Sequence, residues 1–393
     1  MISFDNTNIA FSSKSDTDLR RAFFLFRTIA SPTMVRFSKW LINIARVMHL
    51  PVSWAVKPTI YKQFVGGETL QECAGLVRTL EKYNVKAILD YSVEGISTEE
   101  YIQHTIEEIL RTIELAAIDP NIPFAVFKPT ALCSEDILEK ASTDSLETLE
   151  EKAEARKFRD RMEILCRRAY EKKVCIMIDA EDSWYQLYID DVVTEMMEIF
   201  NKEDAIVYNT LQMYHLDRLE YLQLAYENAV EKNYFLGIKF VRGAYMEKER
   251  IRAVERGYPS PIQPDKEATD QSFDDGLRFA ISHLDRIHIF NGTHNENSTR
   301  LLAELMESLG VAKDDKRCYF SQLYGMSDNI SFTLASLGYN VAKYVPYGPV
   351  ASVLPYLLRR AEENTAIAGQ SGRELSLIRQ EINLRKQKKK SMF

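Results

Sequence analysis

From residue 67 onward, short apolar runs rich in Val, Ile, Phe and Tyr alternate with longer stretches of helical period. The runs are KAILDY (86–91), FAVFKP (124–129), VCIMIDA (174–180), AIVYNTLQMY (205–214), LGIKFVRGAY (236–245), RIHIFNGTH (286–294), RCYFSQLYG (317–325) and AKYVPYG (342–348). Continuous apolar runs of this length suit strands buried on both faces, the parallel-sheet case. Most are followed by a helix-period segment, at 98–118, 183–201, 215–232, 296–310 and 350–364. Repeated strand–helix units predict an α/β fold, a closed (β/α)8 barrel rather than an open sheet.

The remaining segments set the domain organisation. Residues 1–66 read as an N-terminal helical region, interrupted at Pro32, with Arg27, Arg36, Lys39 and Arg46 set among aromatics and aliphatics. Such a helix packs on the core or touches a membrane surface. Residues 67–370 form the barrel. A charged insertion at 134–172 reads as two solvated helices. Segment 246–272 carries three prolines and reads as a long loop over the C-terminal face. Residues 371–393 read as a C-terminal helix and a basic tail, LRKQKKKSMF, either a solvated end or a weak contact for anionic lipid.

Composition narrows the class. The chain has 393 residues, 50 Lys and Arg against 57 Asp and Glu, and a formal charge of −7. A mildly acidic chain is a poor match for the phosphate backbone, so nucleic acid is not the expected partner. The five cysteines show no C-x-x-C spacing, which favours a reducing compartment over a disulfide framework or zinc site. No uncharged apolar run reaches the roughly 18 residues a spanning helix needs. The N-terminus lacks the order of a secretory signal and the Arg/Ser-rich look of a transit peptide.

Catalytic groups of such barrels sit at the C-terminal ends of the strands. There the sequence places Asp90 and Glu94, Lys128, Asp179, Gln212, Lys239 with Arg242 and Tyr245, Thr293 with His294, Gln322, and Tyr344. Buried polar groups without partners cost roughly 1–3 kcal/mol each, so this many in register point to a functional face. Lys128 is a candidate Schiff-base lysine and equally a charge partner for Asp179. Asp179 could instead cap the next helix. His294 has no second His or Cys at ligand spacing, so no metal is expected. Gly243 permits close backbone approach to a ligand.

On the last helix, Tyr356, Arg360 and Glu363 share one face, and Arg359 lies one step round. Two adjacent arginines suit a carboxylate clamp. The plainer reading is a solvated pair between Arg359 and Glu363.

With these residues in view the chain resembles the proline dehydrogenase family. The likeness rests on AILDYSVEG, FKPTAL, MIDAEDSW, LQMY, KFVRGAYMEKER, THNEN, FSQLYGMSDNISF and YVPYGPVASVLPYLLRRAEEN, in this order from about residue 62 to 369. The wording FSQLYGM and YVPYGPV is similar to the eukaryotic-type, monofunctional branch. The resemblance implies a distorted (β/α)8 barrel and noncovalent FAD. It also implies oxidation of L-proline to Δ1-pyrroline-5-carboxylate by hydride transfer to flavin N5. Arg359 and Arg360 fall on the family's carboxylate-binding pair. Lys128 falls on its strand-two lysine and Asp179 on its active-site aspartate. Tyr245, Tyr344 and Tyr356 fall on its aromatic walls, with Tyr344 disfavouring a 4-hydroxyl group, and Glu94 falls on a gating glutamate.

For FAD the resemblance points to Ala180, Gln212, Arg242, Gly243, Ala244, Thr293, His294 and Glu363. Lys239 stands where the bifunctional bacterial relatives have an arginine near flavin N5, and Met246 where they have a tryptophan near the adenine. The implied electron acceptor is a membrane quinone, with a peripheral place on the cytoplasmic face of a bacterial membrane expected over a mitochondrial one. The alternatives are a 4-hydroxyproline dehydrogenase and a Schiff-base aldolase-type barrel using Lys128.

Overall fold

Each predicted apolar run contains one strand. They are β1 Val85–Tyr91, β2 Phe124–Phe127, β3 Cys175–Ile178, β4 Val207–Gln212, β5 Leu236–Val241, β6 Ile287–Gly292, β7 Cys318–Leu323 and β8 Val341–Tyr347. The order in the sheet is β1-β8-β7-β6-β5-β4-β3-β2, and the ladders are parallel. That is the strand order of a (β/α)8 barrel. The structure, a computed structural model, describes residues 2–29, 56–93, 98–366 and 370–391. Of the N-terminal basic positions, Arg36, Lys39 and Arg46 therefore lie outside the described residues, as does Pro32. Most strands stop short of the apolar runs because the final polar residues, among them Lys128 and Asp179, leave the ladder.

By contacts the chain divides into two compact units, Gly95–Ser321 and Ile2–Glu94 with Gln322–Phe393. In the first, β2 and β4 are buried at every position. Phe124, at the start of β2, meets the rings of Tyr208, Phe290 and Tyr319 edge-on, with centroids 5.0–5.3 Å apart. Edge-to-face packing of this kind adds to area burial. It fills the N-terminal end of this sheet with carbon, and chemistry is left to the other end.

The insertion is two helices, Glu135–Ser142 and Leu149–Lys172. The longer one begins with a capping box between Thr148 and Glu151. It is only half solvated, because Phe158, Met162, Leu165 and Cys166 are buried. The segment expected as a long loop is instead mostly helical, Met246–Arg256 and Lys266–Ser282. The three prolines lie in the short link between those helices, and Gly257 ends the first with a positive φ.

The second unit has its own apolar cluster. Phe11, Leu19 and Phe26 from the N-terminal part pack with Tyr61, Phe64, Val350, Val353, Tyr356, Leu357, Leu377 and Ile378. The helix Asp16–Ile29 and the helix Gln370–Lys390 both belong to it. Gly66 donates its N–H to the Pro346 carbonyl at 2.9 Å, and a Cβ on Gly66 would lie 2.5 Å from Val345. The Gly-Gly of KQFVGGET is thus a close approach of backbone to β8.

Candidate active site at the strand ends

In Gly95–Ser321 the polar residues at the C-terminal strand ends form one connected set. Asp179 directly follows β3, and its N–H donates to the Phe127 carbonyl at the end of β2 (3.0 Å). Its carboxylate accepts from Lys239 Nζ at 2.6 Å and faces Lys128 Nζ at 3.6 Å. All three side chains are largely shielded. Two ammonium groups of different strands thus share one carboxylate, the pairing that burial of charge requires. Of the two roles open to Asp179, it takes the charge partner's. The helix-cap position belongs to Asp182, whose side chain accepts from Tyr185 Oη at 2.8 Å and Lys248 Nζ at 2.6 Å.

Gln212 ends β4 and is buried. It donates to the Glu181 carbonyl (2.5 Å) and accepts from Ala244 N–H (3.3 Å). Ala180 is half-buried beside them, while Gly243 and Ala244 are exposed. Gly243 has φ +128°, and a Cβ there would stand 2.3 Å from the Tyr214 ring. Only glycine lets the chain turn against that ring.

Arg242 follows β5. Its guanidinium donates to Asp270 (2.7 Å), Thr293 Oγ1 (2.6 Å) and Ser298 Oγ (2.9 Å), and lies over the Phe273 ring at 4.4 Å. Arg242 and Thr293 are therefore held together, and half-buried His294 follows Thr293. Among the described residues no group of three His, Cys, Asp or Glu could hold a metal ion.

Tyr245 is half-buried and opens the helix Met246–Arg256; Met246 itself is 39% exposed. That helix is tied to the start of Ser183–Phe200. The buried Glu249 carboxylate accepts from Ser183 N–H and Oγ, each at 2.6 Å. Burial pushes the Glu249 carboxyl above its ordinary value. Arg252 lies 4.2 Å from the Trp184 ring.

In the second unit, Tyr344 is buried in β8, and its carbonyl accepts from Tyr324 N–H at 2.8 Å. The preceding residue, Lys343, has its ammonium 2.9 Å from Asp328 and donates to the Met326 carbonyl. Tyr356, Arg359 and Arg360 lie on the helix Leu354–Ala366. Arg360 is buried with its guanidinium 5.2 Å from the Tyr356 ring, a cation–π pair at i,i+4; Arg359 is half-buried. Tyr356 also belongs to the apolar cluster of this unit. Glu363 lies on the same helix, with its side chain outside what is described, and Glu94 lies outside the described residues. Gln322 is buried, and Ser331 Oγ donates to it at 2.7 Å.

Sequence reading passed over Glu181, Asp182 and Glu249, and over the Lys343–Asp328 pair. The polar run EDS in MIDAEDSW was the available signal. Burial is what sets them apart.

A parallel eightfold barrel whose strand ends carry a shielded Lys–Asp–Lys cluster beside an exposed glycine turn defines a barrel enzyme. The family model described as proline dehydrogenase matches residues 73–373, and the chain belongs to that family. Over 95% of the chain it is 33% identical to "Proline dehydrogenase 1, mitochondrial" of Arabidopsis thaliana, covering 85% of that protein. It is 30% identical over 98% of the chain to "Hydroxyproline dehydrogenase" of Xenopus laevis, covering 90% of it. Among solved structures, proline utilization A from Bdellovibrio bacteriovorus, inactivated by N-propargylglycine, superposes with a TM-score of 0.72. The identity is 23%, over 92% of this chain and 38% of that one, so this likeness speaks for the fold.

Proposed function

We propose that this chain oxidises L-proline to Δ1-pyrroline-5-carboxylate, using noncovalent FAD and delivering electrons to a membrane quinone. The observation that carries the reading is the Asp179 carboxylate held between Lys128 and Lys239 within the range matched by the family. FAD would supply the hydride acceptor. The exposed Gly243–Ala244 backbone, where a Cβ would strike Tyr214, suits the close approach of a cofactor. Lys239 and Arg242 beside it provide positive charge for a polyanionic one. In this reading Ala180, Gln212, Lys239, Arg242, Gly243, Ala244, Thr293, His294 and Glu363 hold the cofactor, and residues 67–370 are the catalytic body.

For the substrate, Arg359 and Arg360 bind the carboxylate and thereby orient the ring. Tyr245, Tyr344 and Tyr356 surround the ring and exclude water, and Glu94 gates entry. Lys128, Lys239 and Asp179 set the local charge. The amine is neutral when the ring C–H breaks, because its lone pair becomes the second bond of C=N. Overall the ring gives up a hydride and a proton.

Among the described residues no helix is long and apolar enough to cross a membrane. A peripheral contact on the inner membrane face, through the basic helix that ends at Lys390, serves delivery to a quinone. The test of function is the visible spectrum of the purified protein before and after anaerobic L-proline. A flavin band that bleaches is the expected result. A band indifferent to proline but bleached by 4-hydroxyproline moves the substrate to that of the Xenopus relative. A colourless protein that FAD does not activate, trapped by borohydride with a carbonyl compound, returns the chemistry to a Schiff base on Lys128.

A further inference from the structure

Glu181 is two residues beyond Asp179, and its polar groups tie strand ends to one another and to the next helix. Its carboxylate accepts from Thr130 N–H (2.8 Å) and Thr130 Oγ1 (2.7 Å), just past β2 and two residues from Lys128. Its own N–H donates to Gln186 Oε1 (3.0 Å) on the helix after β3. Its carbonyl accepts from Gln212 at the end of β4, and Gln212 in turn holds Ala244 beyond β5. The side chain is buried.

We propose that Glu181 is a positioning residue for proline capture: its grip on Thr130 sets where Lys128 stands beside Asp179, and its carbonyl sets Gln212. The proposal rests on the proline reading above and deepens it. Both Thr130 donors point at the carboxylate, one to each oxygen, so the arrangement is that of the ionised form. Protonation puts a hydrogen on one of these oxygens, which must then turn from acceptor to donor, and the hold on the Lys128 turn loosens. Burial lifts the Glu181 carboxyl to about 7, against the opposing pull of the Thr130 hydrogen bonds and of Lys128. The charged and titratable groups facing it are Lys128 after β2, and Asp182 and Tyr185 at the start of the next helix. Asp182 is itself paired with Lys248 from the helix Met246–Arg256. Capture of proline therefore weakens as the pH falls through about 7.

The experiment compares wild type, Glu181→Gln and Thr130→Val across about pH 5 to 9, reading kcat and KM for L-proline separately, and melting temperature. In wild type, kcat/KM is expected to drop about tenfold below neutrality, through KM. Glu181→Gln abolishes that limb. Thr130→Val removes one hydrogen bond to the charged form, so it moves the limb to higher pH. The melting readout is independent of turnover. A carboxyl held protonated more strongly in the fold than its ordinary value of 4.5 contributes stability that is lost as pH rises from 4.5 towards 7. Wild type therefore loses stability over that window relative to Glu181→Gln. If Glu181→Gln does not fold, the shift of the limb in Thr130→Val decides. An unmoved limb in folded variants overturns the positioning role. Wild type that fails to oxidise proline at any pH overturns the functional reading on which it stands.

Discussion

Lys239 Nζ lies 2.6 Å from Asp179 Oδ1, and the lysine is a strand residue of β5 rather than a loop residue beyond it. A charge inside a buried strand is tolerable only with its partner in place. Removing one member of such a pair costs about 3–5 kcal/mol, while replacing both by apolar groups costs far less. Asp179→Asn removes the negative charge that faces both Lys128 and Lys239. It is expected to lower stability by about 3 kcal/mol and kcat/KM for proline about 100-fold. Lys239→Met in the same background recovers part of the stability and none of the activity. A denaturant double-mutant cycle with additive single losses would refute the coupling.

The glycine turn makes a second demand. At Gly243 an alanine meets both an unfavourable φ and the Tyr214 ring. Backbone strain of this kind is worth about 1–3 kcal/mol. Gly243→Ala is expected to lower the melting temperature and to purify with less bound flavin. Adding Tyr214→Ala removes the clash and leaves the strain, so it restores stability only in part. Full restoration would show that φ is immaterial.

In the proposed reading, Tyr344 sets the specificity for the ring. Its phenol is buried in β8, where a 4-hydroxyl group would need space and a hydrogen-bond partner. Tyr344→Ser shortens the side chain and offers a hydroxyl. The ratio of kcat/KM for 4-hydroxyproline to that for proline is expected to rise about tenfold. An unchanged ratio removes the steric argument.

These predictions draw on two different layers of information. The eight strands were legible because apolar runs buried on both faces leave a strong signal, and β4 and β8 are buried at every position. The strand-end residues Lys128, Asp179, Gln212 and Lys239 were legible because a polar residue in such a run is conspicuous. Glu181 and Glu249 were not, since a glutamate in a charged turn looks solvated until its carboxylate is seen accepting two hydrogen bonds from Thr130 or Ser183. The helix Met246–Arg256 was hidden by the prolines that follow it. Periodicity sees what faces the core, and a helix with only Glu249 and Ala253 buried offers it little.

A second pH-dependent contribution to stability lies in the unit that holds β8. Glu374 is buried on the helix Gln370–Lys390 and accepts from Ser327 N–H at 3.1 Å. Burial first, and then the Asp328 carboxylate, lift its carboxyl to about 7, with Lys343, the Ser327 N–H and Lys14 pulling the other way. The folded form binds the proton more tightly than the unfolded chain, so the stability this contributes fades as pH rises from 4.5 towards 7. Glu374→Gln is expected to flatten the fall of melting temperature across that range. A wild-type slope retained in the variant would mean that Glu374 is already ionised at the lower pH.

The C-terminal helix carries the last prediction. Lys389 pairs with Asp16 at 2.6 Å, and Arg385 pairs with Glu381 and Asp16. Part of the basic cluster is thus engaged within its own unit, where Lys388 also donates to Asn8 Oδ1 at 3.3 Å, while Lys386, Lys388 and Lys390 are exposed on the last turns. Each such residue near an anionic surface is worth about 1 kcal/mol, and the attraction falls within a Debye length. Deleting residues 386–393 is expected to weaken binding to phosphatidylserine vesicles and to leave neutral vesicles unaffected. Asp16→Asn frees Lys389, while Arg385 keeps Glu381 and the Phe11 and Lys14 carbonyls, and should strengthen binding, with the gain lost in high salt. Equal binding of the full chain and the truncated one would move any membrane contact away from this helix.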